Sequence, residues 1–164
     1  MLKVFLTLLL LAASAGSAAA HGDISKLPDS VQIMQYQMLL YMDANDLATK
    51  NSLAMAYCRT GKLTEAAAEL DGVLKKDAKN FDALDGMGVV LLKQKKAEEA
   101  LKHLEQALAI NDKDALLHAH LSVAYEQLKQ PEKAAAALKK AQELAPSPEG
   151  AAAVQKEIQL LPKS

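Results

Sequence analysis

Cysteine, glycine, proline and aromatic residues are all scarce in this sequence. It has no Trp, one Cys, 7 Gly and 5 Pro, and aromatic residues make up 4% of its 164 positions. A β-sandwich of this size would need more aromatic and β-branched residues, whereas abundant Ala with little Gly or Pro favours closely packed helices. The single thiol, Cys58, has no second cysteine in the chain with which to form a disulfide. The composition therefore indicates one all-α domain.

The sequence has no large excess of positive or negative charge, and it lacks the short motifs of common active sites. Residues 1–20 contain one Lys and no acidic residue, so removing them changes the formal net charge from −1 to −2. No basic surface is therefore expected for nucleic acid or an anionic membrane. The sequence contains no Gly-rich phosphate loop, no H-E-x-x-H, no C-x-x-C and no haem-attachment motif. We expect a protein that is not an enzyme and that has no cofactor.

Residues 1–20 have the pattern of a cleavable secretory signal. Lys3 gives a positive start, positions 4–13 form an almost unbroken apolar run, and small residues follow up to Ala20. The apolar run is well short of the ~20 residues needed to cross a bilayer. We therefore expect cleavage before His21, no stable membrane insertion of the mature chain, and a periplasmic or secreted location. An uncleaved anchor is the alternative.

The sequence repeats itself when it is shifted by 34 residues. Internal repetition at this period indicates stacked helical units that share one continuous core. Six columns keep their size and polarity through three copies. These columns are Leu53, Met87 and Leu121; Ala54, Gly88 and Ser122; Tyr57, Leu91 and Tyr125; Ala66, Ala100 and Ala134; Leu70, Leu104 and Leu138; and Val73, Ala107 and Ala141.

Each copy contains two helical stretches, which in the first copy are predicted at about residues 47–59 and 63–75. Gly61 lies between them, where a residue in the left-handed conformation can end a helix. Asn80 and Asp114 stand where side chains can cap the first helices of the second and third copies. Each copy is therefore read as a pair of helices joined by a short turn.

This pattern resembles the tetratricopeptide repeat. The resemblance rests on the period of 34, on the small-then-large pair Ala54 and Tyr57, and on the recurrent Ala of each second helix. It implies an α-solenoid of three helix pairs, with repeats at about 47–80, 81–114 and 115–148. Proteins of this kind bind segments of other proteins along the surface that their first helices line.

Two further helices are predicted to flank the three pairs, within a domain covering residues 29–161. Asp29 and Ser30 are placed to cap a helix over about 31–42, which aligns with the second helices and reads as half a repeat. A Ser-Pro-Glu sequence begins a predicted capping helix at about 148–160, and residues 21–28 are expected to form a flexible leader.

The resemblance implies which residues face a concave binding groove. We expect this groove to hold an extended or helical segment of another exported protein. The sequence leaves open the identity of that partner and the oligomeric state of this chain. Its centre is expected to be apolar, and two carboxylates are expected at one edge. The alternative is that the chain's own terminal helix covers these residues. The candidate groove residues are Met55, Cys58, Asp82, Asp85, Val89, Leu92, Ala119 and Val123.

Metal-ligand patterns are weak. His118 and His120 are two positions apart and point in different directions on a helix, and His103 has no His or Cys one turn away, so no histidine site is expected. A methionine stripe recurs at every fourth residue of the predicted N-terminal helix. Its thioethers are soft ligands that would suit Cu(I), and Met also fills cores and partner contacts, so copper handling is the alternative function. The methionine stripe consists of Met34, Met38 and Met42.

Overall fold

The structure, a computed structural model, describes residues 23–162. The predicted signal, residues 1–20, lies outside the described residues. Residues 23–162 form eight α-helices, preceded by a turn of 3-10 helix at Ile24–Lys26. The helices are α1 (Asp29–Met42), α2 (Leu47–Arg59), α3 (Leu63–Lys76), α4 (Phe81–Lys93), α5 (Ala97–Ile110), α6 (Ala115–Gln127), α7 (Pro131–Leu144) and α8 (Pro148–Leu160).

The helices form the architecture that the repeat predicts. Helices α2 and α3, α4 and α5, and α6 and α7 pack as three pairs, while α1 packs on α2 as a half-repeat and α8 packs mainly on α6. The first helices of the pairs, α2, α4 and α6, also contact one another along the array. The all-α solenoid with a half-repeat and a capping helix is therefore confirmed. Within residues 23–162, no helix is both long and apolar enough to span a membrane.

Side-chain caps begin the first helix of every pair. Asp46 accepts a hydrogen bond from the Thr49 amide, Asn80 accepts one from Ala83 and Asp114 accepts one from Leu117. Each cap satisfies one of the amides that a helix N-terminus leaves without a partner. The capping roles predicted for Asn80 and Asp114 are confirmed.

The turn inside each pair has the same backbone conformation at the same repeat position. Gly61, Lys95 and Lys129 have φ angles of 79°, 59° and 56°. In each turn the amide of the following residue reaches back five residues, as when Lys62 N donates to Tyr57 O at 2.9 Å. Gly61 takes the predicted left-handed conformation, and the two lysines show that this turn forms without glycine.

The start of α1 differs from the prediction. The residue at the N-cap position is Pro28, which makes no side-chain capping bond, and Asp29 is the first helical residue. The Asp29 carboxylate instead accepts a hydrogen bond from Arg59 Nε at 2.8 Å. The predicted cap at Asp29 was wrong because this distant ion pair takes the carboxylate.

Of the predicted leader, the structure describes only the part from Asp23 onward. That part contains the 3-10 helix, and Gln32 Nε2 donates to the carbonyl oxygens of Ser25 and Leu27 at 3.1 and 2.7 Å. These two bonds hold the chain against the first turn of α1. Whether the leader is flexible in solution stays a prediction.

Close helix contacts occur where the sequence has small residues. Ala54 and Ser122 are buried, and a Cβ atom built on Gly88 would lie 2.4 Å from Leu104 Cδ2. Real carbon atoms do not approach that closely, so only glycine allows Leu104 to pack against α4 here. The small column therefore sets how near the second helix of a pair comes to the first.

Candidate functional site

The terminal helix α8 lies against α6 and covers the C-terminal part of the surface that the first helices line. Val154, Ile158 and Leu161 are buried in this contact. The end of the helix is also tied down by polar contacts, because Gln127 Nε2 donates to the carbonyl oxygens of Leu92 and Pro162 at 3.2 and 2.7 Å. The last part of the predicted groove is therefore filled by the chain itself.

Burial of its residues corrects the predicted apolar centre of the groove. Val89, Leu92 and Val123 are 1%, 0% and 0% exposed, and Cys58 and Ala119 are buried as well. These side chains are members of the hydrophobic core cluster, so they lie inside the array rather than on its surface. In this conformation they cannot form the centre of an open binding surface.

The N-terminal part of the same surface is open. A cavity of about 600 Å³ lies among α1, α2, α4 and the 3-10 helix. We call it the open groove, and of the predicted site residues it brings together Met55, Asp82 and Asp85. It is defined here by Tyr36, Asn51, Met55, Arg59, Asp82 and Asp85.

The contribution of α1 to this groove was not predicted. Asp29, Gln32 and Tyr36 line it, although the repeat columns consider only the first helix of each pair. Arg59 was also missed, because it follows the last of the columns considered on α2. The one available signal was the half-repeat itself, whose missing first helix leaves α1 next to α2.

One end of the open groove is a closed ion-pair network. Arg59 donates from Nε to Asp29 at 2.8 Å and from Nη2 to Gln32 Oε1 at 2.7 Å. The guanidinium is thereby neutralised and fixed in direction, as is usual for an arginine that bridges two acceptors. Among residues 23–162, this end of the groove therefore offers no unpaired cation to a ligand.

At the other end, a buried histidine stands behind Asp85. His120 Nδ1 lies 2.7 Å from Asp85 Oδ1, and His120 Nε2 lies 3.5 Å from Glu157 Oε1 on α8. Burial alone would lower the pKa of His120, but the attraction of Asp85, reinforced by Glu157, outweighs it and raises the pKa well above its usual range. The charged contact with His120 outweighs burial at Glu157 and lowers the pKa of that carboxyl. His120 is therefore an imidazolium ion that links α4, α6 and α8.

The histidines are not brought together. His118 Nε2 lies 2.9 Å from the carbonyl oxygen of Asp112, whereas burial lowers the pKa of His103 on a different helix. Across residues 23–162, no group of three or more His, Cys, Asp or Glu side chains is placed to hold a metal ion.

Asn51 supplies an unsatisfied acceptor beside the acidic end. Its Nδ2 donates to Asn80 Oδ1 at 2.9 Å, and Asn80 in turn donates from Nδ2 to Asp77 Oδ2 at 3.2 Å. These bonds fix the orientation of both amides, because Asn80 Oδ1 also accepts from the Ala83 amide. Asn51 is 8% exposed, and its Oδ1 is buried without a hydrogen-bond donor among residues 23–162.

The methionine stripe lies outside the open groove. Met34, Met38 and Met42 are 54%, 57% and 80% exposed, and the neighbouring Tyr41 is 89% exposed. Core packing is thereby excluded as their role within the described residues. They form an uncovered apolar strip on α1, at the N-terminal end of the array.

Two family models match the chain. Both are described as tetratricopeptide repeat, and they cover residues 51–115 and 91–157. Their combined span begins within α2 and ends within α8. No curated protein sequence matches the chain.

Several solved structures are similar in fold. A thermophilic tetratricopeptide-repeat protein of Thermus thermophilus, TTC0263, is 19% identical with a TM-score of 0.70, over 96% of this chain and 78% of that one. A crystal structure of MamA is 19% identical with a TM-score of 0.63, over 80% of this chain and 85% of that one. A double mutant of MamA RS-1 is 25% identical with a TM-score of 0.62, over 80% of this chain and 83% of that one. These likenesses concern the fold.

Proposed function

We propose that this chain, which belongs to the tetratricopeptide-repeat family, binds an extended or helical segment of another exported protein in its open groove. Repeats of this family are generally non-enzymatic scaffolds for other proteins. The proposed role is that of an adaptor, a scaffold or an assembly chaperone.

The observation that supports this role most strongly is that the groove remains open while the rest of the same surface is covered. Its cavity of about 600 Å³ falls in the size range of sites that enclose a ligand or a short peptide segment. Its walls combine the apolar side chains of Tyr36 and Met55 with the polar side chains of Asn51 and Asp82. Such a mixture suits a segment whose side chains anchor it while its backbone is held by hydrogen bonds.

The compartment is part of the proposal. The signal pattern of residues 1–20 supports export and cleavage before His21. The partner is accordingly sought among periplasmic or secreted proteins.

A matched pair of substitutions tests the groove. Met55 lines it and is partly buried, whereas Met42 is 80% exposed on the methionine stripe, so the same change to Glu can be made at both positions. Met55→Glu places a carboxylate in the contact and should weaken partner capture by roughly tenfold or more. Met42→Glu should leave capture unchanged.

Circular dichroism must first show that both variants keep the wild-type helix content. Capture from the periplasmic fraction is then compared at equal protein concentration. Loss of capture only with Met42→Glu would move the partner site to the methionine stripe, and equal capture by both variants would contradict a groove site.

Copper handling is a second candidate, favoured by the exposure of the methionine stripe. Helix geometry limits it, because eight residues at 1.5 Å each separate Met34 from Met42 by about 12 Å along the axis. Thioether sulfurs at these two positions cannot meet at one ion, so a single site could use Met38 with only one of its neighbours. Titration with Cu(I) followed by native mass spectrometry tests this candidate. Stoichiometric binding that Met38→Leu abolishes would support it, and absence of binding would exclude it.

A further inference from the structure

We propose that the open groove selects segments carrying a basic side chain, and that this side chain sits against Asp82 and Asp85. This inference rests on the proposed function and specifies the chemistry of the partner. It is carried by the charge balance of the groove and by the spacing of its two aspartates on one helix face.

The cavity lining carries three carboxylates and one guanidinium. Arg59 neutralises Asp29 at one end, and the buried imidazolium of His120 faces Asp85 at the other. Glu157 also attracts His120, so the imidazolium is shared between two carboxylates. Asp82 is exposed and makes no ion pair among residues 23–162, which leaves a negative charge uncompensated at this end.

The position of the two aspartates strengthens this argument. Asp82 and Asp85 are three residues apart on α4, so their carboxylates lie on the same helix face. Like charges at this spacing repel, and His120 reaches only Oδ1 of Asp85. A cation that enters from the groove would be attracted by both side chains.

The hydrogen-bonding groups at this end point to the same ligand. Both carboxylates are acceptors only, so they favour a ligand that donates hydrogen bonds. A guanidinium group brings five N–H donors in a planar fork, so Arg should be preferred to Lys.

The remainder of the groove fits the rest of such a segment. From Asn51 to Arg59, α2 rises by about 12 Å, the length of about four extended residues. Tyr36 and Met55 lie along this path and provide apolar surface for the aliphatic part of the basic side chain and for its neighbours. Because the Arg59–Asp29 pair at the far end is neutral overall, the groove should not require a second charged residue in the bound segment.

The test uses pools of short synthetic peptides of about eight residues, twice the length that the groove spans. Each pool has mixed flanking residues and a fixed central Arg, Lys, Gln or Glu. Immobilised protein lacking residues 1–20 captures each pool, and bound peptide is quantified by mass spectrometry. Arg-centred peptides should be captured about fivefold more than Gln-centred ones at low salt.

Two Asp→Asn variants provide the comparison. Asp82→Asn removes the uncompensated charge without breaking an ion pair and should reduce the preference for Arg to less than about twofold. Asp112→Asn, an exposed carboxylate outside the groove, should preserve it. Capture of all pools equally, with loss only in Met55→Glu, would overturn the charge selectivity and leave the groove function standing. A preference for Arg that survives in Asp82→Asn would also overturn it. Capture of no pool would contradict groove binding itself.

Discussion

The same substitution, Gly→Ala, should have opposite effects at two helical positions of this protein. A Cβ atom built on Gly72 in α3 meets no heavy atom within 4 Å. A Cβ atom built on Gly88 in α4 would lie 2.4 Å from Cδ2 and 2.6 Å from Cγ of Leu104. Leu104 is 0% exposed, and the built atom meets the branch point of its side chain as well as a terminal methyl group. The two variants therefore differ in the space around the new methyl group rather than in helix propensity.

The magnitudes follow from these distances. Alanine stabilises a helix interior by roughly 1 kcal/mol relative to glycine, and both variants gain this amount. Gly72→Ala should therefore raise the free energy of unfolding by about 1 kcal/mol. Overpacking of a close-packed core costs about 1–3 kcal/mol, and a clash that involves Cγ as well as the chain end belongs at the upper limit. Gly88→Ala should lower the free energy of unfolding by about 2 kcal/mol.

Urea titration followed by circular dichroism measures both values, with thermal melting as a check. The two variants should differ by about 3 kcal/mol, or about 10 °C in Tm for a domain of this size. The double variant Gly88→Ala with Leu104→Ala should be less destabilised than the sum of the single changes, because the new methyl group enters the space that Leu104 vacates. If Gly88→Ala is as stable as Gly72→Ala, the close contact between α4 and α5 is wrong.

Three further predictions concern the core, the buried histidine and the processed terminus. Leu92→Glu should unfold the domain, as measured by circular dichroism, because it places a carboxylate at a fully buried position. A folded variant would mean that Leu92 lines the groove, as the sequence predicted. The stability that His120 adds relative to His120→Asn should be complete below its ordinary pKa of about 6.5 and should disappear as the pH rises through its folded-state pKa of about 10. At acid pH, the part of this stability that depends on Glu157, whose pKa is lowered in the folded state, should be lost as that carboxylate is protonated. The free energy of unfolding is measured across pH for both proteins, and the same pH dependence in both would contradict the ion pair. Intact-mass analysis of exported protein should show a chain that begins at His21, and a soluble species that retains residues 1–20 would contradict export.

The 34-residue repeat predicted the fold well because it reflects packing within each helix pair and between neighbouring pairs. Asn80 and Asp114 cap the helices that their positions indicated, and the small residue Gly88 lies where two helices approach. Lys95 and Lys129 were not singled out, because a lysine in the left-handed conformation carries no sequence signal comparable to that of glycine at Gly61.

The site was predicted less well because it depends on contacts between distant parts of the chain. A column of apolar residues on the first helices has the same appearance whether it lines a groove or lies in the core. Val123 and Leu92 are buried because α6 packs on α4 and α8 lies across α6, and the direction in which a terminal helix docks is not encoded in the period. The ion pair between Asp29 and Arg59 joins residues 30 positions apart and could not be read from either one.

The central claim is that a partner segment occupies the open groove, and site-specific photocrosslinking in the cell envelope tests it most directly. Ser52 lines the groove and is partly buried, so a photoreactive amino acid at this position should crosslink to one dominant protein partner. The same residue placed at Met42 on the methionine stripe, or at the exposed Lys139 of α7, should give no such product. A dominant product from Met42 with none from Ser52 would contradict the claim.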